Sequence, residues 1–332
     1  KPGSAIRIMT GAPIPNGADT VIPFEDTDEI ERKNMGKEIN KIGIKICSKK
    51  RANIRPAGED VKENEVVLTD GRILRPTEIG VLASIGRSTV KVIRRPKIAI
   101  LATGDELLQP GSSIEPGKIF DSNSFSLAAS VMKYGGIPNT LGIAPDDLEA
   151  TVAKLNEGLD ADLLITSAGV SKGDYDFIKD VLVQQGEIKF WSVRMRPAKP
   201  LAFGTLNTQN GRKVPHIGLP GNPVSALVAF EQFCRPAILK MLGRTELNKP
   251  TITATLRGTI TNYDERRVYA RVLVCKSGNN YYAVPTGPQG SNILTSVSRA
   301  NGLAICPQDV PEINDGQTVS VQMLDWPEQV EV

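Results

Sequence analysis

Histidine is almost missing from this chain: His216 is the only one in 332 residues. That scarcity excludes any multi-histidine metal centre and leaves a Ser-His-Asp triad no other imidazole. Cysteine is sparse as well. Cys47, Cys234, Cys275 and Cys306 are too far apart for a CxxC redox or zinc pair. They suit buried thiols in a reducing compartment better than a disulfide framework. No run of about 18 apolar residues occurs, so no membrane-inserted helix is expected, and the N-terminus has no signal-peptide stretch. With 40 Lys and Arg against 37 Asp and Glu, the net charge of +3 is too small to announce nucleic acid. Neither GxGxxG nor GxxxxGK[ST] is present, so a dinucleotide fingerprint and a P-loop lack support. The expectation is a cytoplasmic protein. Its first residue is Lys1 rather than Met, which reads as a piece of a longer chain.

What is present is an ordinary globular composition, 23% charged and 40% hydrophobic. At roughly 100–200 residues per domain, the length predicts two or three domains. Short β-like runs (AIRIM, DTVIPF, INKIGIKI, EVVL) broken by Pro and Gly predict an N-terminal antiparallel β module over 1–60. A connecting segment over 61–94 carries one short helix, PTEIGVLASIG, with Pro76 in its first turn, and the strand STVKVI. From 95 to 245 strands and helices alternate, which predicts a doubly wound α/β domain. KIAILA reads as a buried parallel strand, followed by a helix with Phe125, Ala128, Ala129 and Met132 on its apolar stripe. DLLITS and HIGL are further strands, and Val224 to Leu242 is a long helix. Over 249–332 the pattern reverts to period two, as a C-terminal β domain, sandwich or barrel-like. The fold class is thus a central α/β domain between two β modules.

Ligands of open α/β sheets bind beyond the carboxyl ends of the strands. Three such ends carry polar, glycine-containing loops: ATGDEL (102–107), TSAGVSKGDYDF (166–177) and GLPGNPVSA (218–226). Each alone reads as a turn about as well as a site. Together they converge on one edge. Ser167, Gly169, Ser171 and Gly173 offer hydroxyls and backbone N–H groups to phosphate. The helix start after Gly221 and Asn222 is a second anion seat. Glu106 and Asp176 are hard carboxylates suited to Mg²⁺. The set predicts a nucleotide or other phosphorylated ligand with a divalent cation. FWSVRMRPAKP (190–200) adds Arg194, Arg196 and Lys199 as an oxyanion clamp or a solvated basic run. His216, Phe190 and Trp191 read as core side chains.

In this order TGDEL, DSN (121–123), PDD (145–147), GVSKGDYD, RPAKP and GLPGNPVSA resemble the molybdopterin molybdenumtransferase family, or MoeA family, which includes the E domain of gephyrin. IRIMTGAPIPNGADTVIPFED (6–26) and NIRPAGEDV (53–61) resemble its N-terminal module, and TGPQGSNIL (286–294) with RANGL (299–303) its C-terminal domain. Two loops depart from the family pattern. SGGVS reads SAGVS, with Ala168, and KPGKP reads RPAKP, with Arg196 and Ala198. The family's DGYA-bearing N-terminal segment is not in the sequence, so the N-terminal module is expected to be truncated.

The resemblance implies a late step of molybdenum-cofactor biosynthesis. The family takes adenylylated molybdopterin and molybdate and, with Mg²⁺, releases AMP. It implies Glu106, Asp176 and Lys199 as catalytic, with Glu106 and Asp176 on the metal. Thr103, Gly104, Asp105, Asp121, Asp146, Pro220, Gly221 and Asn222, with the serines and glycines of the second loop, would bind nucleotide or molybdopterin. Arg196, Lys199, Pro200, Arg271 and Ser291 would bind molybdate, and Thr10 and Asp60 match functional positions of the N-terminal module. It also implies a homodimer sharing its cleft and an adenylyltransferase as a partner. Two other readings stand beside it: a molybdopterin adenylyltransferase-like enzyme, disfavoured by SAGVSKGD where that family has a TGGTG-type loop, and a gephyrin-like scaffold for receptor peptides.

Overall fold

The structure, a computed structural model, describes residues 3–38, 40–168 and 182–326. It divides into two compact units, Lys1–Thr89 and Val90–Val332.

In the first unit the short apolar runs form no strands and make one isolated bridge among the described residues, Thr27 with Ile44. The charged stretch between them forms a helix, α1 (Glu29–Asn34), with Arg32 and Lys33 paired to Asp28 and Glu29 one turn back. The expected helix after Arg75 is α2 (Pro76–Ser84), where Glu78 reaches back to the Arg75 backbone N–H at 3.0 Å. STVKVI forms no strand. Strand ladders need a face that something covers. Here Ile6, Met9, Ile46 and Val66 are exposed, and the buried residues among those described are Thr27, Glu29 and Glu78.

The second unit is built on a six-stranded sheet. Its strands are β1 (Lys97–Thr103), β4 (Ile137–Ala144), β5 (Leu163–Ser167), β6 (Gly186–Ser192), β8 (Pro200–Asn207) and β9 (Lys213–Leu219). Short pairs β2 (Leu107–Leu108) and β3 (Ile119–Phe120), and β7 (Met195–Arg196), lie outside it. The order is β4-β1-β5-β9-β8-β6, parallel across the first four strands and antiparallel across the last two. β1 and β5 are buried along almost their whole length, as their unbroken apolar runs require. Helix α3 (Asn123–Lys133) leads from β1 out to β4, and after α4 (Leu148–Glu157) the chain returns to β5 and continues to β9. The strand order therefore reverses between β1 and β5.

Two helices differ from the sequence reading. On α3 the inward stripe is Ser124, Leu127, Ala128 and Val131, whereas Phe125 and Met132 face solvent. Both stripes have helical spacing, and the aliphatic one wins because Leu127 and Val131 mesh with Ile98 and Ile100 of β1. The long helix starts as α5 (Pro223–Ala229), widens into a π turn over Phe230–Cys234 and continues as α6 (Arg235–Met241). Pro236 cannot donate to the carbonyl four residues back, and the wider turn accommodates its ring.

The C-terminal part is a closed barrel. Strands β10 (Thr251–Leu256), β12 (Arg267–Ser277), β13 (Asn280–Pro285), β14 (Gly302–Cys306) and β16 (Thr318–Met323) run in the order β13-β10-β16-β14-β12, and β12 pairs back to β13, while β11 (Ile260–Thr261) and β15 (Glu312–Ile313) form a separate short pair. Closure removes the free edges that a small sandwich would expose. Strand β7 adds to its outside along β12, so the RPAKP segment is stitched to the barrel. The cysteines are all free thiols; Cys234 and Cys306 are buried, while Cys47 is exposed and Cys275 half-buried.

Candidate active site

The three loops do emerge side by side, because β1, β5 and β9 are adjacent parallel strands. Their first residues are tied together. Thr103 Oγ1 lies 3.5 Å from the Ser167 carbonyl, and the Ala168 N–H donates to the Leu219 carbonyl at 3.0 Å. Gly104 turns with φ +135°, and a side chain there would collide with the Glu106 carboxylate, which folds back over it. Glu106 and Asp105 are exposed at this edge. Asp105 and Asp146 are joined reciprocally: the Asp146 N–H donates to Asp105 Oδ1 at 3.0 Å, the Asp105 N–H to Asp146 Oδ2 at 3.4 Å. Lys118 Nζ donates to the Asp105 carbonyl.

Beneath the loops sits the start of α3. Asp121 is buried; one of its oxygens accepts the Ser124 N–H at 3.0 Å and the other has no partner among the described residues. Asn123 Oδ1 and Ser124 Oγ are buried and unpartnered as well. Pro220 is buried, and Gly221 and Asn222 are exposed ahead of α5. Gly169, Ser171, Gly173 and Asp176 lie outside the described residues.

The basic segment joins the same edge. Because β8 runs antiparallel to β9, its first residue, Pro200, lies at the end where β9 stops. Arg196 is turned toward the barrel: it donates to the Thr261 carbonyl, lies 3.7 Å from Asp264 and stacks 4.0 Å over the Tyr263 ring. Lys199 is exposed, and its side chain has no partner among the described residues. Arg271 is the largest fully buried side chain among the described residues. Among them its guanidinium meets neutral oxygens alone, Ser296 Oγ at 3.0 Å and the Pro288 and Gly290 carbonyls at 3.4 and 3.0 Å. Burial without an acidic partner pushes it down to about 10. The Ser291 carbonyl accepts the Val224 N–H at 3.2 Å, which brings the barrel loop onto the first turn of α5. Thr10 and Asp60 are exposed in the first unit.

His216 is the core side chain that the sequence suggests. It is fully buried in β9, its Nε2 shares a 3.0 Å hydrogen bond with Thr166 Oγ1, and burial pushes its pKa down to about 3. Trp191 is not a core residue. It is exposed on the edge strand β6, where with Phe203, Leu201 and Phe233 it lines an apolar groove of about 490 Å³. An antiparallel edge strand carries one face outward, which the sequence read as interior. The sequence reading takes Asp121 from the DSN motif and not Asn123; the polar triplet at the start of α3 is the signal in the sequence that marks Asn123.

Comparison with known proteins agrees with this architecture. Residues 1–86 match the MoeA N-terminal region (domain I and II), 99–240 the probable molybdopterin binding domain, and 253–324 the MoeA C-terminal region (domain IV). A molybdopterin molybdenumtransferase of Haemophilus influenzae is 36% identical over 96% of this chain and 77% of its own length. The chain belongs to the MoeA family. Molybdopterin molybdenumtransferase 2 of Mycobacterium tuberculosis is 34% identical over 97% of this chain and 77% of its own. A MoeA crystal structure from Pyrococcus horikoshii superposes with a TM-score of 0.74 at 28% identity, over 95% of this chain and 74% of that one. MoeA membership assigns the chain to molybdenum-cofactor biosynthesis, and it gives the two loop departures a structural meaning. Ala168 and Ala198 stand where the family pattern has glycine, and both hold left-handed backbone, φ +79° and +72°.

Proposed function

We propose that this chain transfers molybdenum from molybdate to adenylylated molybdopterin, with Mg²⁺, and releases AMP. The observation that carries the reading is the junction of β1, β5 and β9 at the reversal of strand order, with buried Asp121, Asn123 and Ser124 atoms unpartnered beneath it. Among the described residues these buried polar atoms lack partners, and a bound polar group, water or ion would satisfy them. Cleaving a phosphoanhydride calls for positioning and charge neutralisation more than for a nucleophilic side chain. Thr103, Ser167 and the backbone of the glycine loops would bind and orient the phosphates, and Asp146 and Asp121 would border the nucleotide.

The two carboxylates that the family resemblance implies, Glu106 and Asp176, are of the kind a magnesium ion takes. Mg²⁺ usually takes one or two carboxylates and completes its shell with waters and substrate phosphate. No group of three or more His, Cys, Asp or Glu gathers among the described residues. Glu106 is exposed at the loop edge; with Asp176 it would hold the ion, which when bound neutralises phosphate charge. Arg271 supports the molybdate end, since a buried guanidinium answered only by neutral oxygens keeps its charge for a dianion. Lys199 and Ser291 would complete that end. Arg196, held by the Thr261 carbonyl and the Tyr263 ring, would orient the RPAKP loop more than bind the anion.

The family resemblance supports a homodimer, an adenylyltransferase that supplies the substrate, and a cytoplasmic location. No described helix is long and apolar enough to cross a membrane. The test is Mg²⁺-dependent AMP release from adenylylated molybdopterin. Glu106→Ala should abolish release with no change in melting temperature, because the side chain is exposed. Release at the wild-type rate would remove Glu106 from the metal site.

A further inference from the structure

Asn123, the first residue of α3, joins two of the three loops through one amide. Its side-chain nitrogen donates to Ser167 Oγ and to the Gly221 carbonyl, both at 2.7 Å. An amide nitrogen carries two hydrogens, so both are committed. The partners sit at the ends of β5 and β9, strands that are adjacent in space but more than forty residues apart in sequence. Asn123 and Ser167 are both buried, and Asn123 Oδ1 has no partner among the described residues.

The direction of the first bond matters. A hydroxyl has one proton and two lone pairs. With Asn123 donating to it, the Ser167 oxygen acts as acceptor there and its own proton points elsewhere. Among the described residues that proton reaches no acceptor. Ser167 therefore stands at the loop edge as a pre-set donor, on the strand next to the point where the strand order reverses.

We infer that Asn123 is a positioning residue: it fixes the Ser167 hydroxyl as a donor to a phosphoryl oxygen of the ligand and holds the Gly221 loop beside it. The inference rests on the reading that a nucleotide phosphate binds at this edge. Asn123 acts through Ser167, so its effect on binding should vanish when the hydroxyl is gone. An aspartate in its place would reverse the bond, accepting from the hydroxyl and turning its proton away from the ligand.

The experiment is a double-mutant cycle on the full chain with AMP as the probe, read by calorimetry beside thermal melts. Asn123→Ala and Ser167→Ala should each weaken AMP about tenfold or more, the effect of losing a hydrogen bond to a charged group. The double variant should lose about as much as one single variant. Losses that multiply, or Asn123→Ala binding AMP as wild type does whatever its melting temperature, would overturn the inference. Should Asn123→Ala fail to fold, the isosteric Asn123→Asp replaces it: a loss of AMP binding that disappears in the Ser167→Ala background supports the role, and an equal loss in both backgrounds, or none, overturns it. A wild-type chain that binds no AMP overturns the underlying reading and this inference together, whereas wild-type binding with unmoved variants overturns the inference alone.

Discussion

At residue 168 the chain leaves β5 with φ +79°, and at residue 198 it rounds the RPAKP turn with φ +72°, in both places with an alanine. A Cβ in the left-handed region crowds the following carbonyl and costs roughly 1–2 kcal/mol. A glycine there would relieve the crowding but would enlarge the freedom of the unfolded chain by about 0.4–1 kcal/mol. Ala168→Gly and Ala198→Gly are therefore each expected to stabilise the protein by about 0.5–1 kcal/mol, measured as a rise in melting temperature. Ala168 has a second role, since its methyl would lie 3.3 Å from any Cβ placed on Gly221 and so fills the gap between two loops. If Ala168→Gly lowers the melting temperature while Ala198→Gly raises it, that packing outweighs the strain. The sequence made the departures visible only beside the family pattern. Nothing in SAGVS or RPAKP by itself marks the backbone as left-handed, because φ is set by where the loop must go next.

At the scale of elements, β9 carries the one histidine of the chain through the centre of the sheet. His216 faces Leu164 of β5 and Gly204 of β8, with Thr166 as its polar neighbour, and its Nδ1 has no partner among the described residues. Burial holds its folded pKa at about 3 against an ordinary 6.5. In the window between them the unfolded chain binds a proton that the folded chain refuses. Stability from the neutral ring is thus fully present above pH 6.5 and falls as the pH drops toward 3. At pH 5 the loss is about 2 kcal/mol, at roughly 1.4 kcal/mol per unit below 6.5. Denaturation at pH 7 and pH 5 should show this slope in the wild type, and the slope should shrink by that amount in His216→Gln. An identical pH dependence in both would mean that the folded ring takes up its proton as readily as the unfolded one. The parallel strands were readable from the sequence because continuous apolar runs such as KIAILA can only be buried on both faces. β7 and β8 were not, since RPAKPLAFGTLN has no period of its own and becomes strand by pairing with β12 on one side and β9 on the other. The inward face of α3 was ambiguous for a related reason: two apolar stripes compete, and only packing chooses.

For the whole molecule, the two units differ in what holds them. Val90–Val332 has extensive cores, from Ile98 in β1 to Val321 in the barrel; β7 joins its two sheets, and a half-buried Lys249–Glu231 pair at 2.6 Å ties the π turn to the segment before β10. Lys1–Thr89 buries no apolar side chain among its described residues and relies on hydrogen bonds and ion pairs such as Glu78 with Arg72 and Arg75. A segment without a buried apolar core opens at low free energy. Hydrogen exchange should therefore find weak protection across 3–89 and strong protection in β1, β5 and β9 of the same chain. The proposed homodimer adds a dependence on concentration. If a second copy covers the exposed Ile6, Met9, Ile46 and Val66, their burial stabilises the unit by mass action and its protection must rise with protein concentration. The measurement is exchange at nanomolar and at high micromolar chain, paired with sedimentation at both. Protection over 3–89 that climbs together with the dimer fraction is the expected result. Dimer formation with unchanged protection there would assign the contact to another surface, for which the groove lined by Trp191 and Phe203 is the exposed apolar alternative. A monomer at high micromolar concentration would count against any cleft shared between copies of this chain.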